Sequence, residues 1–354
     1  MISPLHIPDA WMWSVWQPER GMPFNSYLFK EGDALAAVDP LPLDDAALEW
    51  VGLRGGIRTI VLTNRDHARW ADALRARFGA QILASDVEAP LFEIAVDRTF
   101  SDGDEVFSGA RAIRMPHGKT PGEVALHIAA GRAAVIGDAL IGSPAGALSL
   151  LPDAKLEDRR QLLNSLRRLW SLNLDALLLG DGQPILRNAD GVLGEFLEVY
   201  GGAEINRINR DELRSAPREY GKFEAEDFEI GLLIGARKLG YRIAELPPGK
   251  AFCPLHSHVL EEEFFFVLDG HPSIRTLRGT IACRPGDFIA FPTGRRGTHQ
   301  LRNDSAAPCT VLLVGMNGPE EVCFYPDSEK VLVDTAAGRL IVRAKPALDY
   351  LDGE

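Results

Sequence analysis

The stretch from His256 to Gly270, which reads HSHVLEEEFFFVLDG, constrains the fold more than any other part of the sequence. Residues two apart in a β-strand point to the same face, so His256 and His258 share a face. Three glutamates follow, and then an aromatic and aliphatic run that ends at Asp269-Gly270. Imidazoles and a carboxylate directed into a dry β-sheet interior are ligands for a transition metal. The stretch therefore predicts a metal site enclosed by β-strands.

The length and charge of the chain limit the remaining possibilities. A chain of 354 residues is too long for one ordinary core, which predicts two domains. The net charge of −12 argues against binding to nucleic acid or to an anionic membrane, since both need a basic surface. No stretch has the roughly 18 uninterrupted apolar residues of a membrane span, and the N-terminus lacks the pattern of a secretory signal. We therefore expect a cytoplasmic protein with no nucleic-acid or membrane partner.

The cysteines fit this expectation. They form no CxxC pair, and without an export signal we expect reduced thiols. One of them stands three residues before His256 and is an alternative extra metal ligand. The four are Cys253, Cys283, Cys309 and Cys323.

Strands and helices alternate over the first two hundred residues. Apolar runs at Arg58–Thr63 and Ala176–Leu179 predict buried strands, and helical spacing of apolar residues predicts helices over Ala68–Phe78 and Leu156–Leu172. Such alternation predicts α/β layering.

Motifs in this half resemble the metallo-β-lactamase fold. They span Pro23 to Leu197 in the order of that fold's strand-end motifs, and they read FNSYLFKEGDALAAVDP, VLTNRDH, MPHGKTPGEVALHI, VIGDAL and LLLGDGQPI. The resemblance implies an αββα sandwich whose metals lie where these loops converge.

The metal ligands of that family are mostly missing. Its H-x-H-x-D-H motif would follow Thr63, where the chain reads Asn64-Arg65-Asp66-His67, and its final G-H-G is Gly180-Asp181-Gly182. The resemblance leaves as remnants Asp66, His67, His117, Asp138 and Asp181. These supply too few imidazoles for tight zinc binding. We expect a metal-free, catalytically inert scaffold; the alternatives are a carboxylate-rich site for another metal and hydrolase activity from this half.

The segment after Gly202 is polar and carries many charges of both signs. It is either a disordered linker or an arm that covers a sheet edge, and Ile205 and Ile208 favour the arm. From Glu229 the pattern changes to short strands separated by Gly and Pro turns, with early strands predicted at Gly231–Gly235 and Tyr241–Glu245.

Two spaced motifs in this half strongly resemble the cupin superfamily. The first is His256-x-His258, four residues, Glu263, six residues and Gly270. The second is Gly286, five residues, Pro292-x-Gly294, four residues, His299, three residues and Asn303. The resemblance implies a double-stranded β-helix, a jelly-roll barrel, with four metal ligands: His256, His258, Glu263 and His299.

Strand parity distinguishes the neighbouring glutamates. Glu262 and Glu263 point to opposite faces, and the six-residue spacing to Gly270 selects Glu263, although a bulge would allow Glu262 instead. Three imidazoles and a carboxylate suit one divalent Fe, Mn, Ni, Cu or Zn ion, with places left for substrate, water or O₂. Arg275 and Arg296 are candidates for anchoring a substrate carboxylate.

The sequence therefore predicts a multidomain chain. Its parts are a metallo-β-lactamase-like α/β domain at 1–202, a connecting arm at 203–228, an all-β cupin domain at 229–345 and a tail at 346–354. The cupin sequence resembles an uncharacterised bacterial group. We expect a dioxygenase or isomerase acting on a small organic acid or carbonyl compound. The alternative is a non-catalytic module that binds or senses a small ligand, with the N-terminal domain as a partner surface. The resemblance also implies a homodimer.

Overall fold

The computed structural model describes residues 1–213, 215–335 and 338–344, and the chain forms two compact units. The first unit is Met1–Ile205, and the second begins at Asn206. No helix within the described ranges is long and apolar enough to cross a membrane. The predicted tail at 346–354 lies outside the described residues.

The first unit consists of two sheets and four helices in its described residues. The strands of the first sheet are Ser3–Pro4 (β1), Ala10–Gln17 (β2), Met22–Glu31 (β3), Ala34–Val38 (β4), Ile57–Val61 (β5), Gln81–Ser85 (β6) and Arg98–Phe100 (β7). Those of the second are Glu105–Phe107 (β8), Ala110–Arg114 (β9), Val124–Ile128 (β10), Ala133–Ile136 (β11) and Ala176–Leu179 (β12). The helices are Asp45–Gly52 (α1), Ala71–Phe78 (α2), Arg159–Trp170 (α3) and Ala189–Gly201 (α4).

The layers of this unit follow from its buried clusters. The two sheets, ordered β1 to β7 and β12-β11-β10-β9-β8, share an apolar cluster that includes Val38, Val61, Leu126 and Val135. A second cluster joins the first sheet to α1 and α2, and a third joins the second sheet to α3 and α4. Each helix pair thus covers the outer face of one sheet. This arrangement confirms the predicted αββα sandwich.

Capping explains where the longest predicted helix begins. The Asp158 side chain accepts a hydrogen bond from the Gln161 amide at 3.0 Å, so α3 begins at Arg159 rather than at Leu156. Its buried stripe, which includes Leu162, Leu166 and Leu169, packs into the third cluster. The prediction of Leu156–Leu172 was therefore correct in the buried face and too long at both ends, since α3 ends at Trp170.

The second unit contains only strands and short 3₁₀ turns within its described residues. Its strands are Ala216–Tyr220 (β13), Phe223–Glu229 (β14), Leu239–Leu246 (β15), Ser257–His258 (β16), Glu263–Asp269 (β17), Ser273–Thr276 (β18), Gly279–Ala282 (β19), Phe288–Phe291 (β20), His299–Arg302 (β21), Cys309–Met316 (β22), Glu321–Tyr325 (β23), Lys330–Thr335 (β24) and Gly338–Arg343 (β25).

These strands form sheets of six, four and three strands. The orders are β13-β14-β15-β22-β17-β20, β16-β23-β24-β25 and β19-β18-β21. A cluster centred on Phe265, Val267, Val311 and Leu301 fills the interior. On the outer face of β17 and β20, Phe264 and Phe266 contact the ring of Phe288 instead. This β-rich unit confirms the fold class expected for the C-terminal half.

One predicted strand was wrong, and the connecting segment proved to be structured. Leu232–Ile234 forms a 3₁₀ turn instead of a strand, because Gly235 adopts a left-handed conformation (φ 80°) and ends the extended path. In the segment before it, β13 and β14 pair with each other, and β14 pairs with β15. The segment therefore supplies two of the six strands of this sheet, at one of its edges.

Gly270 shows why the first cupin-like motif ends in glycine. Its φ is 77°, and a Cβ placed there would lie 2.7 Å from Cα of Cys309. The turn after β17 thus requires a residue without a side chain. The fixed spacing between Glu263 and Gly270 follows from this close approach to β22.

We predict that Phe265→Ala destabilises the second unit by about 3–5 kcal/mol, because it removes a buried ring from the barrel core. Phe265 is 1% exposed, whereas Phe288 on the neighbouring strand is 73% exposed. Phe288→Ala is therefore the matched control, with an expected change within about 0.5 kcal/mol. Chemical denaturation of the chelator-treated protein measures both, and equal losses would contradict this account of the core.

Candidate metal centre

Three strands bring the predicted ligands together at one side of the barrel. His258 lies in β16, Glu263 begins β17 and His299 begins β21. His256, just before β16, pairs with His299 across an isolated antiparallel bridge, with N–H···O distances of 3.1 and 2.9 Å. Side chains from four separate points of the chain thus point into one space.

The ligand atoms converge on the carboxylate of Glu263. Its Oε2 lies 3.0 Å from Nε2 of His299, 3.3 Å from Nε2 of His258 and 3.9 Å from Nε2 of His256. Three of these atoms, namely Nε2 of His258, Nε2 of His299 and Oε2 of Glu263, are buried and have no hydrogen-bond partner among the residues that the structure describes. Such groups are normally satisfied, and a divalent cation bound among them would satisfy all of them together.

Backbone carbonyls fix the tautomers of two of the histidines. Nδ1 of His256 lies 2.9 Å from the carbonyl oxygen of Pro254, and Nδ1 of His299 lies 2.8 Å from that of Gly297. Because a carbonyl only accepts, both Nδ1 atoms must donate, and each neutral ring has its lone pair on Nε2. Both rings are therefore oriented with Nε2 towards the shared space.

The pKa values of the side chains at the centre are shifted in different directions. Burial, together with the charge of His299, lowers the pKa of His256 to about 4, so its ring is neutral near pH 7. Burial raises the pKa of Glu263, but the adjacent rings of His258 and His299 outweigh it and hold that pKa well below the usual range. His258 behaves differently. Burial lowers its pKa, yet the neighbouring Cys323 and Glu263 side chains raise it to about 10. Metal binding must therefore release a proton from His258.

Two side chains on the opposite side of His258, those of Glu321 and Cys323, were not among the residues predicted from the sequence. Nδ1 of His258 lies 3.4 Å from Sγ of Cys323 and 3.6 Å from Oε2 of Glu321. The Glu321 carboxylate accepts backbone N–H groups from Val259 (2.9 Å) and Glu261 (2.8 Å). These acceptor sites are occupied, so Glu321 fixes the loop that carries His258. Glu321 and Cys323 lie in the strand EVCFY (β23), which the sequence shows as an apolar and acidic run. Their proximity to His258 becomes visible only when β23 pairs with β16 in the fold.

The structure separates the ligands from the alternatives that the sequence left open. Glu262 lies just before β17, where its carbonyl oxygen accepts a hydrogen bond from the Met316 amide. Its side chain is not among the groups that could hold a metal at this centre. Sγ of Cys253 lies 3.7 Å from Nδ1 of His256, on the side away from the ligand nitrogen. Burial, and then the charge of Glu263, raises the pKa of Cys253 to about 12, so it remains a thiol. The converging set is therefore His256, His258, Glu263 and His299.

The predicted substrate anchors lie elsewhere. Arg275 forms a two-pronged ion pair with Asp327, at 2.6 and 2.9 Å, and Arg296 is exposed on a 3₁₀ turn. Neither lines the cavity beside the metal ligands. The expectation fails because position near the second motif does not determine side-chain direction. The arginines that line the cavity are Arg218, Arg242 and Arg339.

That cavity adjoins the ligands on the inside of the barrel. It has a volume of about 470 Å³, within the range of about 300–1,000 Å³ for small-molecule sites. Its apolar wall includes Phe265, Leu313 and Leu332, and its polar wall includes Tyr325 and the three arginines. Burial, followed by the charge of Cys323, raises the pKa of Tyr325 to about 12, so its hydroxyl stays protonated near neutral pH.

The remnant residues of the first unit form a different kind of cluster. His67, Asp138 and Asp181 offer ligand atoms within 4.8 Å of one another. Asp66 approaches them only through Lys119, and His117 lies outside the cluster, with Nδ1 3.5 Å from Oε2 of Glu157. The structure thus brings together three of the five predicted residues directly.

Two basic side chains, Lys119 and Arg69, neutralise the carboxylates of this cluster. Neither was predicted from the sequence. The Lys119 ammonium lies 2.6 Å from Oδ2 of Asp66 and 2.8 Å from Oδ2 of Asp138. The Arg69 guanidinium donates to Oδ1 of Asp181 at 3.1 Å and contacts Nε2 of His67 at 3.1 Å. The protein's own cations therefore occupy the positions from which these carboxylates and this imidazole could bind a metal.

His67 itself is held by carboxylates on both sides. Its Nδ1 lies 2.8 Å from Oδ2 of Asp39, and its Nε2 lies 3.5 Å from Oδ1 of Asp138. Burial and Arg69 lower the pKa of His67, but Asp39 and Asp138 outweigh them and raise it to about 10. Both ring nitrogens therefore have neighbours within the protein, because the Arg69 guanidinium also lies 3.1 Å from Nε2.

Comparisons with known proteins agree with both units. The profile of the metallo-beta-lactamase superfamily matches residues 2–200, more than half of the chain, and the chain belongs to that superfamily. A cupin domain profile matches residues 242–315, a range that contains all four converging ligands, and the C-terminal unit is a cupin domain. No curated protein matches the chain.

Solved structures resemble each half separately. A putative sugar phosphate isomerase from Acidithiobacillus ferrooxidans is 22% identical, over 41% of this chain and 97% of that one, with a TM-score of 0.39. A cupin-superfamily sugar phosphate isomerase from Silicibacter pomeroyi is 26% identical, over 41% and 98%, with a TM-score of 0.37. A metallo-beta-lactamase from Pontibacter korlensis is 14% identical, over 56% and 97%, with a TM-score of 0.47.

We predict that His256→Ala and His299→Ala each weaken metal binding by more than about 100-fold, beyond the usual cost of losing a residue that only supports a ligand. His271→Ala is the control, because His271 is an exposed histidine of the same unit. Glu263→Gln should weaken binding strongly and Glu262→Gln should not. Titration of the intact protein with Zn²⁺ and Mn²⁺ measures each affinity. Retention of one tightly bound ion by the His256/His299 double variant would contradict the assignment.

We also predict that Lys119→Met destabilises the first unit by about 3 kcal/mol. This value is the lower end of the loss of stability of about 3–5 kcal/mol expected when one partner of a buried ion pair is removed. The lower end applies because the Lys119 side chain is 30% exposed, while that of Asp138 is 4% exposed. The pKa of Asp138 is lowered from 3.8, so its ion pair stabilises the fold above that pH and the contribution is lost on acidification. The difference from wild type, measured by denaturation, should therefore narrow as the pH falls below 3.8.

The control for this variant is Lys155→Met, since Lys155 is exposed on a 3₁₀ turn of the same unit. Its stability should stay within about 0.5 kcal/mol of wild type. If both lysine variants are equally stable at pH 7, Lys119 is not the counter-ion of the buried carboxylates.

Proposed function

We propose that the chain is a metal-dependent cupin enzyme of the dioxygenase or isomerase class, acting on a small organic acid or carbonyl compound. The observation that supports this most is the convergence of three imidazole Nε2 atoms and one carboxylate oxygen at the wall of a cavity of about 470 Å³. One divalent Fe, Mn, Ni, Cu or Zn ion held by these ligands would keep places for a substrate oxygen or O₂ and would polarise what binds there.

The remaining side chains of the cavity suit the binding of a small polar molecule. Phe265, Leu313 and Leu332 form an apolar wall of the cavity that holds the ligands. Tyr325 keeps its proton and can donate a hydrogen bond to a substrate oxygen. Glu263 and the histidines are metal ligands in this proposal, so none of them serves as the general base.

In this proposal the first unit is an inert scaffold. Lys119 and Arg69 compensate its carboxylates, and Arg69 also contacts Nε2 of His67, the nitrogen that faces Asp138. Hydrolysis by this fold needs a bound water activated by metal. The chemistry is therefore assigned to the cupin domain alone.

The test is turnover by the full chain, loaded separately with each of the five metals. Oxygen uptake reports a dioxygenase, and exchange of substrate C–H for deuterium, followed by NMR, reports an isomerase. We expect turnover of at least one small hydroxy acid, keto acid or aldose, lost on chelation and in the His256/His299 double variant. Saturable binding of such a compound without turnover under any metal would contradict the enzyme and indicate the binding module instead.

A further inference from the structure

The register of the six-stranded sheet defines the floor of the cavity. Glu263 lies opposite Gly315, and Gly315 lies opposite Gly240. Two adjacent positions in the row beyond the ligand carboxylate therefore have no side chain. A Cβ on Gly315 would lie 3.4 Å from Cγ of Glu263, in van der Waals contact with the ligand side chain. This floor leaves room for a substrate directly beside the metal centre.

The next row of the sheet leads to basic side chains. Phe265, Leu313 and Arg242 lie opposite one another across β17, β22 and β15. From strand spacings of about 4.8 Å and a rise of about 3.4 Å per residue, the Cα atoms of Glu263 and Arg242 are roughly 12 Å apart. A molecule with a metal-binding oxygen at one end can therefore span the distance to the basic side.

Arg242 is already engaged by acidic partners. Its guanidinium donates to Oδ2 of Asp227 at 2.8 Å and to Oε2 of Glu229 at 3.0 Å. These two carboxylates hold it in place and compensate its charge. Arg242 is therefore a fixed part of the wall rather than a free donor.

Arg218 differs from Arg242 in that respect. Its guanidinium carbon lies 4.5 Å from the centre of the Phe252 ring. Its ion pair with Asp227 has an N···O distance of 3.6 Å, which is longer than a hydrogen bond. Within the described residues no hydrogen bond engages its five N–H donors, although it lines the cavity. It comes from β13, in the segment before the residues that match the cupin domain. Stacking on Phe252 orients the planar fork and leaves its edge for a ligand.

The basic side chains of the cavity suit an anion. Three arginines and three glutamates line it and balance each other. A bound divalent cation would add two positive charges, which Asp227 and Asp334, the ion-pair partners of these arginines, balance. The N–H donors of Arg218 therefore favour an oxyanion through charge-assisted hydrogen bonds rather than through an excess of positive charge.

We propose that Arg218 binds the oxyanion of the substrate, a carboxylate or a phosphate, while an oxygen at the other end of the same molecule reaches the metal centre. This inference rests on the proposed function, because it assigns a subsite within the same cavity. It defines the substrate class as a small organic anion that carries a second oxygen function. The connecting segment then completes the binding site of the cupin domain.

The test compares Arg218→Gln with Arg218→Lys and Arg296→Gln in the full-length, metal-loaded protein. Arg296 is the matched control, because it is an exposed arginine of the same unit that does not line the cavity. Calorimetry measures the affinity for malonate, inorganic phosphate, glycerol 3-phosphate and uncharged glycerol, and metal content is measured in every sample. The malonate and phosphate probes distinguish a carboxylate from a phosphate ligand.

We expect at least one anionic probe to bind to wild type more tightly than glycerol does. Arg218→Gln should weaken that binding about 10- to 100-fold, the effect of losing a charge-assisted hydrogen-bonding partner. Arg218→Lys should weaken it less, because the charge is kept and the fork is lost, and Arg296→Gln should leave it unchanged. Unaltered affinity in Arg218→Gln, or no anion binding by metal-loaded wild type, would overturn the subsite. Loss of metal from wild type would instead overturn the proposed function.

Discussion

A buried carboxylate at the meeting point of three imidazoles is the interaction on which the C-terminal unit depends. Glu263 lies within 3.9 Å of Nε2 of all three histidines, and a charge in such a place needs a partner. The surrounding structure is arranged to hold it: Gly270 allows β17 to turn against β22, and the carbonyls of Pro254 and Gly297 orient two of the rings. The barrel supplies the ligand geometry, and the cation that fits it would complete the charge balance.

The first unit solves a related electrostatic problem without a metal ligand set. It too gathers carboxylates and an imidazole where the loops of its sandwich meet, but Lys119 and Arg69 lie among them. Asp39 lies beside Nδ1 of His67, and Arg69 contacts its Nε2, so neighbours within the protein adjoin both ring nitrogens. The two units of one chain therefore show opposite ways to stabilise buried carboxylates, one through internal basic residues and one through a site suited to a metal.

Local patterns in the sequence were sufficient for the fold class and for the converging residues of the barrel. His256 and His258 share strand parity, and motif spacing selected Glu263 and His299, because turns that require glycine fix the register. The sequence could not supply Lys119 or Arg69 as counter-ions, since each meets its carboxylate partner only in the folded sandwich. It also misplaced the substrate anchors. Arg275 lies near the motifs but pairs with Asp327, whereas Arg218 reaches the cavity because β13 and β14 extend the sheet.

The most direct test of this account is anomalous diffraction from crystals of the full chain grown with Mn²⁺ or Zn²⁺. The account predicts one anomalous peak per chain, about 2.0–2.2 Å from Nε2 of His256, His258 and His299 and from a carboxylate oxygen of Glu263. It predicts no peak among His67, Asp138 and Asp181. A peak in the first unit, or a metal bound away from the four barrel residues, would contradict the central claim.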